Sequence, residues 1–223
     1  KANDMPIPAK VVLPQNLFII GTVNVDETTY MFSPKVLDRA HVIEFRMDTE
    51  ELEAFLDNPA SPDLSQLDGG GKSFGKAFVE AARGPANVPI EVKDTYEAEM
   101  LLFFKALQAH GAEFGYRVAH ETARFVYFYK LLGNHQDDDS TWFQDAFDCI
   151  VVQKFLPKLH GSRAKLGPLL KKLWFLCVKN DVGVRSVDVL KEAEEAARST
   201  DKKTEPSAEV PTGAPYPLSA EKI

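Results

Sequence analysis

Cysteine is scarce in this 223-residue chain: Cys149 and Cys177 are the only two, and neither has a CxxC partner. A zinc ribbon and a disulfide framework therefore both lack ligands, and two thiols among apolar helical residues read as buried and unreactive. No uninterrupted apolar run approaches the ~18 residues that a membrane span needs. Positive charge is not in excess, with 26 Lys+Arg against 33 Asp+Glu, a net charge of -7 and a pI near 5.3. Whole-surface attraction to nucleic acid or anionic lipid is therefore not expected. The five histidines, His41, His110, His120, His135 and His160, have no metal-binding spacing, and His120-Glu121 does not belong to HExxH. GxSxG is missing, and no carboxylate cluster supports a metal-dependent nuclease.

What remains is an ordinary globular composition, 44% hydrophobic and 26% charged. Leu17 to Val23, LFIIGTV, is a continuous apolar run of strand length, as in a parallel sheet buried on both faces. Ser33-Pro34 then suits the start of a short helix, with serine as N-cap and proline at the first helical position. His41 to Met47, HVIEFRM, reads as a second strand. The expected fold class is therefore an α/β fragment, the end of a parallel sheet, followed by a mainly α-helical bundle. Two strands are marginal alone, and the chain starts without methionine almost at a strand. The rest of the sheet is expected upstream, in a longer polypeptide.

Residues 1–57 form the expected α/β part. Residues 58–93 read as a loop or linker, with Pro59, Pro62, Pro85, Pro89 and the Gly69-Gly70-Gly71 run. From Asp94 the period is helical. Tyr96, Met100, Phe103, Phe104 and Leu107 form one stripe; Phe125, Phe128, Tyr129 and Leu132 form a second. Ser140 is expected to cap a third helix through Phe155, and Ala164 to Val178 a fourth, interrupted at Gly167-Pro168. The bundle is expected over 94–199, and residues 200–223 as a flexible tail.

Gly69-Gly70-Gly71-Lys72-Ser73 ends like a phosphate-binding loop, but GxxxxGK[ST] requires glycine where Gln66 stands, and the preceding residues read as loop rather than strand. Asn24, at the end of the first candidate strand, would place an amide at the ligand-binding edge of a parallel sheet; a turn-forming Asn is the plainer reading. From Lys154 to Lys179 there is no acidic residue, while Lys154, Lys158, Arg163, Lys165, Lys171, Lys172 and Lys179 are basic. This face either meets DNA or an acidic partner, or is solvated and balanced by Asp137, Asp138, Asp139, Asp145 and Asp148.

The stretch LPQNLFIIGTVNVDETTYMFSPKVLDRAHVIEF resembles the second half of the large AAA+ subdomain in McrB-like restriction NTPases, most specifically over residues 13–45. FGYR with HETARF resembles the lid helix of that family, and VVQKFLPKLHGS and YPLSAEKI resemble its lid. The resemblance implies that Asn24 is sensor 1, that Arg39 is an arginine finger acting in trans, and that Arg117 is a sensor-2 candidate, with Arg124 competing. Some relatives carry consecutive arginines at the finger, whereas Ala40 and His41 follow Arg39 here. It further implies a cytoplasmic ring homo-oligomer that hydrolyses GTP or ATP with Mg2+ and drives a McrC-like nuclease subunit in restriction of modified DNA. Walker A and Walker B are missing here, so the chain alone is expected to be inactive. The alternative is a nucleotide-free helical module that binds protein or DNA.

Overall fold

The computed structural model describes residues 10, 12–13, 17, 19–23, 32–45, 47–61, 63–135, 141–179, 187–198 and 210–223. Two compact units are present: one takes in residues 1–30 and 46–85, the other 31–45 and 86–223.

No β-strand occurs among the described residues, which corrects the expected α/β fragment with a parallel sheet. The described part of Leu17–Val23 is irregular, with Ile19 86% and Ile20 92% exposed. Residues 41–45 are likewise irregular, and Phe45 is 93% exposed. The physical reason is that strand formation is not local. A run of β-branched and aromatic residues becomes a strand only when a neighbouring backbone accepts its N–H and C=O groups. Val42 N–H instead donates to the carbonyl of Gln153, at 3.2 Å, in the helical part of the chain.

In the first unit, α2 (Thr49–Asp57) starts at a capping box. Asp48 Oδ1 accepts from Glu51 N at 2.7 Å, and Asp48 N donates back to the Glu51 carboxylate at 3.2 Å. Two short 3-10 turns, Leu64–Leu67 and Lys72–Phe74, then lead into α3 (Gly75–Arg83). Neither α2 nor α3 contains a buried residue.

The second unit holds α1 (Pro34–Leu37), α4 (Lys93–Gln108), α5 (Tyr116–Gly133), α6 (Thr141–Ile150), α7 (Arg163–Val178), α8 (Val187–Arg198) and α9 (Pro217–Lys222). Its core centres on Phe103 of α4, whose ring lies 5.5 Å from Phe147, 5.8 Å from Phe155 and 6.0 Å from Tyr216. Phe114 stacks on Phe155 at 4.8 Å. Burying one such ring contributes about 1.5–3 kcal/mol, so this cluster binds α4, α6, the following turn and the entry to α9 together.

On α5 the fully buried positions are Val118, Thr122 and Val126, while Phe125, Phe128 and Tyr129 are only half-buried and Leu132 is exposed. These small residues are the ones α5 turns to the core, and α5 packs mainly on α6. Tyr96 OH from α4 donates to Ala119 O at 2.9 Å and lies 2.8 Å from Thr122 Oγ1. The stripe is thus rotated from the one the large aromatics suggested. α7 is continuous through Pro168 rather than interrupted. An internal proline costs a helix about 3 kcal/mol, and burial of Leu169, Leu173, Leu176 and Cys177 on the same helix offsets it.

Residues 216–223, expected within a flexible tail, form a docked turn and helix. Tyr216 is buried, its N–H donates to Cys177 O at 3.2 Å, and α9 packs on α6 and α7. The buried Asp148 carboxylate holds the start of α9: it accepts from Leu218 N at 2.7 Å, from Ser219 N at 2.8 Å and from the Ser219 hydroxyl. Burial pushes its pKa above 3.8, against the pull of those donors. Between the unfolded and the folded pKa the fold therefore holds a proton that the unfolded chain has released, and this contribution to stability, present at low pH, is lost as pH rises through the folded pKa. At pH 7, Asp148→Ala leaves buried N–H groups without an acceptor and is expected to cost about 2–4 kcal/mol in urea unfolding. An unchanged midpoint would show that α9 is held by its packing on α6 and α7 without the Asp148 contacts.

Candidate functional site

Residues 32–45 lie along the helical unit and carry Arg39. Ser33 O accepts from Val36 N at 2.9 Å and Leu37 N at 3.2 Å, so α1 is a single turn. Leu37 is buried, and α1 packs on the 3-10 turn Leu156–Lys158. Arg39 N then donates to Val36 O at 2.9 Å, and the Arg39 side chain is exposed.

The surface that receives this segment is built at the end of α6. Val151–Phe155 forms a π-helical turn, a wider ring than the α-helix and one that recurs at functional positions. Lys154 lies within it, and its side chain has 0% exposure. Its ammonium donates to Ala40 O at 2.8 Å and to Glu121 Oε2 at 2.6 Å. One turn later Lys158 pairs with Asp38. The His41 ring stacks on Phe125 at 5.7 Å, and its Nδ1 lies 3.3 Å from Gln153 Oε1. At the far end of the segment, Lys222 of α9 pairs with Glu44. The residues on both sides of Arg39 are thus held, while its guanidinium is left outward.

Of the residues singled out from the sequence, Asn24 lies outside the described residues. Arg117 is exposed in the first turn of α5, four residues before Glu121 and so on the same helix face. Arg39 and Arg117 are therefore linked through Ala40, Lys154 and Glu121. Arg124 lies over the Phe128 ring at 5.5 Å. The sequence places Lys154 and Lys158 only in a basic face and does not single out Glu121; the burial of the two lysines and their pairing are what sequence reasoning missed. Their signal is two lysines four apart inside the otherwise apolar stretch IVVQKFLPKL.

The basic stretch 154–179 also takes a form that neither sequence reading described. Lys154, Lys158 and Lys172 are buried, and Lys172 pairs with Glu194 of α8 at 3.2 Å; Lys179 pairs with Glu192. Much of the charge is spent inside the fold on acids distant in sequence.

A nucleotide with magnesium needs a phosphate cradle and carboxylate ligands. Among the described residues no three His, Cys, Asp or Glu side chains gather as a metal site. Gly69 and Gly71 take positive φ, 76° and 79°, in a turn between the two short 3-10 turns, not at the end of a strand. The described residues therefore do not fit a complete nucleotide–magnesium site. Cys149 is half-buried, and burial raises its thiol pKa, so it is a poor nucleophile. No helix among the described residues is long and apolar enough to cross a membrane.

His41 makes the docked segment sensitive to pH. Although His41 keeps an exposed surface, partial desolvation of its ring first, and then the Lys154 ammonium, lower its pKa below 6.5, with the Gln153 contact and Glu121 opposing. A lowered folded pKa means that a released segment binds the proton better. Docking is therefore fully supported above pH 6.5 and weakens as pH falls through the folded pKa. Hydrogen exchange at the Val42 amide, corrected for its intrinsic pH dependence, is expected to be more protected at pH 7.5 than at pH 5.5. His41→Phe, which keeps a ring on Phe125, is expected to flatten that difference; an unchanged pH dependence in this variant would assign it to another group.

No curated protein and no solved structure matches the chain. One family profile does, that of a domain of unknown function (DUF8727), over residues 72–223. That span contains Arg117, Glu121, Lys154 and Lys158, the receiving surface, whereas Arg39 precedes it. With more than half of its length matched, the chain belongs to the DUF8727 family.

Proposed function

We propose that this chain works within a McrB-like NTPase, presenting Arg39 in trans to the GTP or ATP bound by a neighbouring subunit of a cytoplasmic ring. In this reading the ring drives a McrC-like nuclease subunit in restriction of modified DNA. Asn24 and Arg117 serve the subunit's own nucleotide as sensors 1 and 2. The phosphate loop and magnesium carboxylates are supplied by other sequence of the same polypeptide, and the chain alone does not hydrolyse nucleotide. Beyond the resemblance of residues 13–45, one observation carries the reading: Arg39 is exposed while Asp38 and Ala40 are both anchored. An arginine that acts on another subunit must point away from its own, from a backbone already ordered, so that little entropy is lost when it engages. Phosphoryl transfer spreads negative charge over the transferred oxygens, and the planar guanidinium fork matches that distribution where a lysine point charge does not.

In the full-length protein, Arg39→Ala is expected to lower the hydrolysis rate by roughly 10³-fold or more while leaving nucleotide affinity within a few-fold. Arg39→Lys should recover little. Hydrolysis by the alanine variant at the wild-type rate would reject the assignment. A second reading, a nucleotide-free helical module that binds protein or DNA, is favoured by the way the helical unit already holds a non-helical segment, residues 40–45, on its surface. Full-length protein that hydrolyses neither GTP nor ATP would favour that module.

A further inference from the structure

We propose that Lys154 and Lys158 are positioning residues for Arg39: two lysines, one turn apart, that fix the backbone on either side of the arginine. The proposal rests on the reading of Arg39 given above and adds the device that aims it.

The burial of Lys154 is the first argument. An ammonium removed from water is costly unless its donors are satisfied, and lysine is rarely buried without a partner. Lys154 has no exposed side-chain surface and finds two oxygens, the Glu121 carboxylate and the Ala40 carbonyl. An ion pair alone would need only Glu121. The second oxygen belongs to the peptide that follows Arg39 directly. The second argument is Lys158, whose side chain is 7% exposed and pairs with Asp38, the residue before Arg39. Each flank of the arginine thus has its own lysine.

Local geometry supplies a third argument. The turn that carries Lys154 is π-helical, a less favourable ring than the α-helix, and it recurs where function requires a displaced side chain. The same turn offers the Gln153 carbonyl to Val42 N and the Gln153 amide oxygen to His41. A surface that meets the segment at Asp38, Ala40, His41 and Val42 leaves its backbone little freedom. Between those anchors the Arg39 side chain is exposed. Misplacing a transition-state group by about 1 Å can cost 10²-fold in rate, so small losses of anchoring should appear in turnover before they appear in binding.

The test uses the full-length protein with Lys154→Met, which keeps the buried stem and removes the charge, and Lys158→Met, a less buried site that guards against a folding defect in the first. Three readouts are taken: kcat and KM for GTP and ATP, nucleotide affinity, and hydrogen exchange of the peptide spanning 34–45. Each variant is expected to lower kcat by about tenfold or more with KM within about twofold, and to lose protection over 34–45. Loss of protection with unchanged kcat, or equal losses in KM and kcat, would overturn the positioning role. Unaltered protection in both variants would overturn the anchoring itself. Arg39→Ala, run in parallel, separates the two claims. If that variant is inactive while both lysine variants turn over normally, only the present proposal falls. If Arg39→Ala turns over at the wild-type rate, both fall.

Discussion

A lysine ammonium that has left water must be met by oxygen, and the burial of Lys154 organises the part of this fold that bears on function. Two segments far apart in sequence supply the oxygens: Glu121 from α5 and the Ala40 carbonyl from the segment that carries Arg39. The π-helical turn, α5 and residues 38–42 are therefore one mechanical unit. Removing either acceptor would leave charge in a dry place. Arg117, one turn before Glu121 on α5, belongs to the same unit through the helix that bears it.

Beneath that junction lies the aromatic core. Phe155, the residue after Lys154, packs on Phe103 and Phe114, so the rings that hold the helices together also fix where the ammonium sits. Within α6, Asp148 does for α9 what Lys154 does for the arginine segment: a buried ionisable side chain takes partners from backbone distant in sequence. The helical unit thus uses apolar burial for cohesion and a few buried ionic groups to select which peripheral segments dock and where. The Lys222–Glu44 pair joins the two docked segments to each other.

How much of this was legible in the chain varies with how local the physics is. The stripe Tyr96, Met100, Phe103, Leu107 identified α4 and its buried face, because helical periodicity is written in nearest turns. The start of α2 at the Asp48–Glu51 capping box is equally local. The two strands expected at 17–23 and 41–47 did not form among the described residues: apolar, β-branched composition states only that a segment can pair, not that a partner is within reach. On α5, large aromatics drew attention from Val118, Thr122 and Val126, which are the positions that become buried once α5 packs. At the site, Arg39 and Arg117 stood out through resemblance, and Asn24 falls outside the described residues. Lys154 and Lys158 were read as members of a basic face, since a lysine's burial depends on an acid more than thirty residues away.

The sequence by itself determined that this is a globular chain with an acidic net charge, an amphipathic helical half and no cysteine framework, because composition and helical period depend only on residues and their near neighbours. Tertiary structure alone decided that residues 38–42 lie against the end of α6, that the closing residues dock through Tyr216 and Asp148, and that lysines open to solvent in the sequence pattern became buried anchors. Those outcomes depend on which distant oxygen meets which buried nitrogen, and that pairing exists only once the helices have packed.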